Sequence, residues 1–596
     1  MDADPIDHAD PGRAGAAAAM ETLLRAYVRE TATPVPDAGE QLVLTFPASG
    51  VTVGIRVRHR SATGWHRFGE PSVLTPEAVR PADAALVAAA AIRETVVVRR
   101  LPAHLGSDAV ARVLDSARRT AAHLVRRRAE GDAGMTPFLD AEQALLLGHP
   151  FHPAPKSREE ASVAELDDYS PELRGRFRLH WFAAAPSVVA GESADGRTPA
   201  ELCRHLAAGV EPPPGMVPLP AHPWQAREVL RRPEVAALVE AGLLRPLGPS
   251  GPEWYATSSV RTVHRPDADV MLKLSLGLRI TNSRRNNLRG EMRLGVRAAR
   301  LLAAGPGGWL RAEHPEFAIL RDFAWVSAGV DGPQTGPESG PESGPETGPE
   351  TGLETAIRDN PFRGGVREGL CVAGLLAERT GPGDGTPPRH RALLAAALER
   401  AVRAHGLPPG EAAALWLTRY LDVLAVPLIR LHARFGIALE PHHQNTLVAL
   451  GDDGLPCAGW YRDSQGYYVA ASRAAELESL LPGLGEVDVV FDDGFVDERV
   501  AYYLGVNNLL GLVGAFGALG LADEGALLRV LRAALERLRA AEPGAKGLLD
   551  LLLDAPALPC KANYLTCVDG RDELVGDVRT QSVYIDLPNP LTEVER

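Results

Sequence analysis

Positive charge and hydrogen-bonding capacity gather at one strand end in MLKLSLGLRITNSRRNN, Met271 to Asn287. Leu272, Leu274, Leu276, Leu278 and Ile280 alternate with Lys273, Ser275, Arg279 and Thr281, the period of a half-buried strand. No acid occurs from Met271 to Gly290, whereas a solvated basic face is normally interleaved with Glu and Asp. Upstream, TSSVRTVH (Thr257–His264) and the turn-forming RPDAD make this segment one arm of a hairpin. Ser259 and Arg261 then point one way and Thr262 the other. Lys273 sits on the partner strand and Arg285 just past its end. Guanidinium and ammonium groups held by a sheet clamp phosphate or carboxylate oxygens.

A second constellation, EPHHQN (Glu440–Asn445), is followed by Asp463 in YRDSQG. Mg²⁺ prefers carboxylate and amide oxygens alongside substrate phosphates. Glu440, Asn445 and Asp463 suit it, with His442 and Gln444 left to contact phosphates or substrate. Zinc is disfavoured, because its sites space their ligands more widely than two adjacent histidines. In GHPFHPAPKSR (Gly148–Arg158), His149, His152, Lys156 and Arg158 cluster among prolines that stiffen the loop and lower its ordering cost on binding. AHPWQ (Ala221–Gln225) reads as packing around Trp224, with His222 hydrogen-bonded. Lys561 in PCKANYLT is a lone cation.

The chain carries no GxxxxGK[ST] phosphate loop, GxSxG elbow, HExxH or Rossmann glycine fingerprint, so covalent serine or cysteine catalysis has no support. Its 596 residues exceed one core, and a net charge of −13 argues against a polyanion binder while leaving a small anionic ligand open. Five scattered cysteines without a CxxC pair fit a reducing, cytoplasmic setting. The acidic start lacks the features of a signal peptide. The uncharged run Ala501–Ala522 is interrupted by Asn507, Asn508 and several glycines, and reads as a buried helix rather than a membrane span.

The elements that must position these residues follow from the pattern. The first ~20 residues are expected to be disordered. Residues 80–130 are mainly helical, with a strand-like run at Val96–Val98, and 286–304 is a helix. The tandem repeat Gly336–Gly352, GPESGPESGPETGPETG, has nothing apolar to bury and predicts a solvated insertion over 333–355. Residues 391–434 are helical. Strands follow around Gly436–Leu450 and Gly459–Ala470, joined by GDDG.

TSSVRT, KLSLGLRITNSRRNN, EPHHQN, YRDSQG, AHPWQ and GHPFHPAPK, in register over roughly 140–570, resemble the nonribosomal-peptide-synthetase-independent siderophore (NIS) synthetases. This is the aerobactin-synthetase-like IucA/IucC family, which has a ferric-reductase-like C-terminal region. The resemblance implies an α+β cupped hand: a thumb (1–160), fingers (161–390) with a mainly antiparallel sheet, and a loosely kinase-like palm (391–596). It implies ATP and Mg²⁺, adenylation of citrate or a related acid, and amide formation with an amine or hydroxylamine-bearing amine. Ser259, Arg261, Thr262 and Lys273 match the phosphate clamp. Thr281 and Arg285 match positions near the carboxylate and α-phosphate. His442, Gln444 and Asn445 match nucleotide contacts, with Glu440 and Asp463 on the Mg²⁺ side. His149, His152 and Lys156 match the loop facing the acyl substrate, the histidine in contact being open. Lys561 matches a lysine near the substrate carboxylates. Arg285, Lys273 and His442 are the implied catalytic residues.

The expected function is therefore an ATP-dependent carbon–nitrogen ligase of siderophore biosynthesis, with small-molecule partners and no nucleic-acid or membrane partner. A homodimer is the assembly to test. Three alternatives stay open: a synthetase joining or cyclising ω-amino-hydroxamate units, a kinase-like phosphotransferase, and a non-catalytic binder of an anionic or iron-chelating ligand. AMP plus pyrophosphate, rather than ADP, marks the ligase.

Overall fold

The computed structural model describes residues 4–130, 136–329, 350–365, 367–486, 488–573 and 580–594. It is a mixed helix-and-sheet molecule whose segments interlock across long sequence distances. The N-terminal part opens with helix Pro11–Glu30, whose N-terminus has a proline in its first turn and the Asp10 carboxylate accepting the Arg13 N–H at 2.9 Å. It packs with helices Ala84–Arg99 and Ala103–Glu130 against an antiparallel meander, Gln41–Phe46, Val51–His59, Arg67–Leu74 and Val79–Pro81.

The expected disorder of the first ~20 residues is wrong from residue 4 onward. Asp4 pairs with Arg67 at 2.8 Å and Arg58 at 3.0 Å, and Asp7 pairs with Arg391 at 2.5 Å. Composition gave no hint of these partners, which lie far along the chain. Val96–Val98 is not a strand either. It is the last turn of helix Ala84–Arg99, where an alanine-rich start capped by Asp83 propagates the helix and Val96 is buried.

The centre is an eight-stranded sheet, antiparallel at every pairing. Its order is Val189–Ser193, Asp322–Ala328, Thr355–Asp359, Val270–Leu274, Thr262–His264, Leu244–Ala256, Arg176–Ala184, Val217–Ala221. The hairpin is present, with Thr262 opposite Lys273. The long alternating strand breaks at Ser275, however. Val270–Leu274 stays in the large sheet, while Leu276–Ile280 turns away to pair with Ser283–Arg285. Leu276, Leu278 and Ile280 bury against Trp224 and Val260. AHPWQ packs as expected: His222 caps helix Pro223–Val229 by accepting the Trp224 N–H at 3.2 Å.

Most of the repeat lies outside the described residues, and so does 333–349 of the expected insertion. Its last part, 350–355, is ordered, contrary to expectation. Thr351 and Glu354 are buried together and Thr355 begins a central strand, because Gly352 offers its carbonyl to Gln225 at 3.1 Å.

The C-terminal part is helical around one large core. A strand from before residue 390, Phe317–Leu320, pairs in parallel with Pro456–Arg462, and Leu370–Cys371 pairs with Thr446–Leu450. This sheet therefore spans the sequence boundary drawn at 390. Helices Pro409–Phe435 and Asp493–Ala518 are apolar and long enough to cross a membrane, yet 61% and 83% of their most apolar stretches are buried inside the protein. Within the second, Ala501–Leu510 is a π-helix, a widened turn common at functional sites. Its Asn508 accepts the Tyr420 hydroxyl at 2.6 Å and donates to the Pro441 carbonyl at 2.7 Å. A polar residue inside an apolar run thus anchors the EPHHQN loop.

Deleting residues 1–9 should strip Arg391 of its Asp7 and Asp4 partners and Arg67 of Asp4, leaving Arg67 with Glu378, and cost on the order of 3 kcal/mol. A drop in the thermal midpoint checks this; an unchanged midpoint refutes it.

Candidate active site

Every site residue expected from the sequence reaches the wall of one cavity of about 410 Å³. The clamp comes first. Thr257 donates to the Thr262 carbonyl through its N–H (3.0 Å) and its hydroxyl (2.9 Å), and the Ser259 hydroxyl accepts the Thr262 N–H at 3.1 Å. This tight loop turns Ser259, Arg261 and Thr262 toward the cavity. It is strained, because Val260 takes φ +68°, a conformation a β-branched residue strongly resists. Thr281 (φ +58°) and Asp463 (φ +79°) share the left-handed region and the same cavity. Such strain persists where surroundings over-determine it, as at ligand clamps.

Three asparagines in the polar run act as scaffold and contact. Asn287 receives the Arg261 guanidinium at 2.6 Å and donates to the carbonyls of Lys273 (2.7 Å) and Glu354 (3.0 Å). Arg261 also donates to the Arg285 carbonyl at 3.0 Å, so the two arginines form one unit. Arg285 in turn donates to the Thr281 hydroxyl at 2.8 Å. Burial pushes Arg261 down to about 10, helped by the like charge of Arg285. Asn282 meets the GHPFHP loop, and Asn286 lies beside Gly277.

Ten cations line the cavity, and seven have a carboxylate partner. Lys273 is one of them, donating at 2.6 Å to both Asp463 and Gln465. Burial lowers its pKa, with Asp463 opposing. Burial also disfavours the Asp463 carboxylate, but Lys273 and Arg358 outweigh it and hold the group well below the usual range. Arg462 and Arg358 pair with Glu142 (2.7 Å) and Asp322 (2.6 Å), acids that no motif marked. Lys561 pairs with Glu573 at 3.0 Å. Arg29, Arg261 and Arg285 have no ion-pair partner among the described residues.

Lys156 has a structural partner that the sequence did not reveal. It is buried and its ammonium lies 2.6 Å from Glu172, which Arg158 also contacts at 2.6 Å. Its charge ties the loop to the Glu172 segment at the cavity wall. The same loop separates the two histidines. His152 accepts the Ala154 N–H at Nδ1 (3.0 Å), so its Nε2–H donates to Asn282 at 3.1 Å. Both its nitrogens are used. His149 accepts the Phe151 N–H at Nδ1 (3.1 Å), which leaves an Nε2–H donor for the cavity. His149 is therefore the one able to contact a ligand. Gly148 starts the turn at φ +87°, where a Cβ would lie 2.5 Å from Pro155.

In EPHHQN the neighbouring histidines also part. His443 contacts the Asn508 carbonyl at 2.9 Å, while the His442 ring, tilted toward Tyr503, makes no hydrogen bond to the described residues. Burial pushes His442 down to about 3, so it stands neutral. Gln444 reaches Ser258 at 3.4 Å, and its carbonyl accepts from Arg462. Asn445 donates to the Glu440 carbonyl at 3.2 Å, which leaves its Oδ1 open. Glu440 uses Oε1 for Tyr468 at 2.6 Å and Asp463 uses Oδ1 for Lys273, so each keeps one open oxygen. Among the described residues no group of three or more His, Cys, Asp or Glu could hold a metal. The two carboxylates and one amide fit only a hard cation that takes further oxygens from its substrate.

Known proteins resemble this chain in sequence and fold. The IucA/IucC family model matches residues 137–377, and a model described as ferric iron reductase FhuF-like transporter matches 414–576. The rhizobactin siderophore biosynthesis protein RhbC of Rhizobium meliloti is 36% identical over 93% of each chain. The chain belongs to the IucA/IucC family of NIS synthetases. The spermidine-citrate ligase of Bacillus anthracis is 32% identical, covering 92% of this synthetase and 90% of that protein. ATP-bound aerobactin synthetase IucA of Klebsiella pneumoniae superposes with a TM-score of 0.83 at 27% identity, over 96% of this chain and 99% of that one. The synthetase is thus a carbon–nitrogen ligase of siderophore biosynthesis.

Burial keeps eight of its histidines neutral: His123, His149, His222 and His442 fall to about 3, and His66, His152, His264 and His443 to about 4. Below about pH 6.5 the unfolded chain protonates these imidazoles and the folded one does not. Their contribution to stability is whole above that pH and drains as pH falls toward 4. The thermal midpoint should therefore drop steeply between pH 6.5 and 5; a flat profile there would contradict the burial.

Proposed function

We propose that this cavity binds ATP with Mg²⁺ and adenylates a carboxylate of citrate or a closely related polycarboxylic acid, then passes the acyl group to an amine. The observation that carries the reading is the joined Arg261–Arg285 pair, without an acid partner, in one cavity with the open oxygens of Glu440, Asn445 and Asp463. The citrate ligase among its relatives and the ATP-bound structural neighbour support it.

The carboxylate oxygen attacks the α-phosphorus, the bond to the bridging oxygen breaks, and pyrophosphate leaves. The amine nitrogen then attacks the acyl carbon, AMP departs, and the amine proton is lost to solvent or base. Two anions must approach in the first step. Arg285, fixed by Thr281, stands beside the reacting carboxylate, and Arg261 with Lys273 offsets charge on the phosphates. Neutral His442 and Gln444 orient the nucleotide by hydrogen bonding, and His149 offers its Nε2–H to the acid. His152 positions Asn282. Mg²⁺, held by Glu440, Asn445 and Asp463, would neutralise phosphate charge. Positioning of this kind can recover roughly 7–11 kcal/mol of barrier. In this description residues to 160 form a thumb, 161–390 fingers and 391–596 a palm of a cupped hand. The five free thiols suit a cytoplasmic setting.

The expected products are AMP, pyrophosphate and an amide, measured by mass spectrometry with citrate and a panel of diamines. ADP would instead indicate a phosphotransferase. Lys273→Ala and Arg285→Ala should each lower turnover about 10²–10³-fold with the fold retained; normal acid-dependent pyrophosphate exchange in both would overturn the assignment. Asp463→Asn should raise the Mg²⁺ concentration needed for half-maximal rate, and an unchanged requirement would remove it as a ligand.

A further inference from the structure

Arg29 is a cavity cation that no motif marks, that the reaction above does not use and that, unlike Arg25 and Arg358, has no carboxylate partner among the described residues. It sits in the last turn of helix Pro11–Glu30, far in sequence from the clamp. Its guanidinium lies 4.4 Å over the Phe151 ring, two residues after His149. Its Nε is buried without a hydrogen-bond acceptor. The neighbouring carboxylate, Glu30, does not balance it, because its two oxygens accept the N–H groups of Tyr564 at 2.9 Å and Leu565 at 2.8 Å. Arg29 also donates to the thiol sulfur of Cys560, a neutral partner and the residue before Lys561.

The accounting of charge then becomes specific. A polycarboxylic acid brings more than one anionic group into a largely closed space, and each loses its water. Arg261 and Arg285 form one unit at the reacting end. Lys561 already balances Glu573. Arg29 remains, on the N-terminal helix, as the charge with no carboxylate to balance it among the described residues. A guanidinium stacked on a ring presents its planar fork edge-on, the geometry that takes a carboxylate through two parallel hydrogen bonds. The free Nε2–H of His149 lies beside it as a neutral donor.

We propose that Arg29 binds a carboxylate of the acyl substrate that does not react, and so selects polycarboxylic over simpler acids. This rests on reading the cavity as an adenylation site. An amine without a carboxylate would be repelled by Arg29, which argues against an acceptor subsite at this wall.

The test compares citrate with 2-hydroxy-2-methylsuccinate, its analogue with a methyl in place of one carboxymethyl arm, in acid-dependent pyrophosphate exchange. Arg29→Ala should lower kcat/KM for citrate about 10- to 100-fold and leave the analogue nearly unchanged, so that the wild-type preference collapses. Arg29→Lys should restore part of it. An equal fall for both acids would make Arg29 structural and overturn the proposal. So would normal exchange with citrate combined with lost amide formation, which would assign Arg29 to the amine. A wild-type enzyme with no acid-dependent exchange would remove the functional reading and this inference with it. An active enzyme with an unaltered ratio would remove the inference alone.

Discussion

The cavity depends on charge being matched where water is scarce. Lys273 and Asp463 show the constraint most plainly. One belongs to the central sheet and the other to the loop after strand Pro456–Arg462, and they meet at 2.6 Å. Removing two ions from water costs several kcal/mol each, and only close geometry with further hydrogen bonds offsets that. Gln465 supplies one such bond, and the Arg358–Asp322 pair braces the other side. The pair therefore ties two parts of the chain together and sets the distance between clamp and metal-side oxygens. Against this balanced background, Arg29, Arg261 and Arg285 have no carboxylate partner among the described residues, and a low local dielectric strengthens the pull of each on an anion.

Backbone strain is part of the same design. Val260, Thr281 and Asp463 each take the left-handed region in a turn between two strands. Conformations of this kind cost about 1–3 kcal/mol each. They hold because hydrogen-bond hubs leave no alternative: Asn287 fastens Arg261 to two backbone carbonyls, and Glu142 fixes both Arg462 and the Ser258 backbone. Side chains that never face a substrate thus decide where the clamp points. The π-helix Ala501–Leu510 does similar work from the C-terminal part of the chain. It sets the consecutive Tyr502 and Tyr503 on the cavity wall while Asn508 holds the EPHHQN loop.

The cavity is assembled from segments remote in sequence. Arg29 comes from the first helix, His149 from a proline-stiffened loop, Arg261 and Lys273 from a hairpin, Asp463 from a strand end and Lys561 from a late strand. The interlocking extends beyond the site, since Tyr564 packs into the N-terminal core against Tyr27. An N-terminal helix in this way contributes a charge to the same cavity as the central sheet.

Local chemistry was legible wherever function needs several polar residues close together in the chain. The hairpin, the acid-free run after it, EPHHQN, Asp463 and the absence of a P-loop could all be read directly, and their register over hundreds of residues carried the family. The buried helix at Ala501–Ala522 was legible too, from its interrupting asparagines. What the sequence could not reveal was pairing at a distance. Asp4 with Arg67, Lys156 with Glu172 and Arg462 with Glu142 are formed by tertiary packing, so disorder at the N-terminus was a natural misreading and the carboxylate partner of Lys156 could not be foreseen. Likewise two histidines in one motif look alike until backbone N–H groups fix their tautomers, which separates His149 from His152. Residue type and spacing determined which chemistry the chain can perform. Only the folded arrangement decided which charges are spent on one another and which remain for a ligand, because electrostatic balance is set by distance in space.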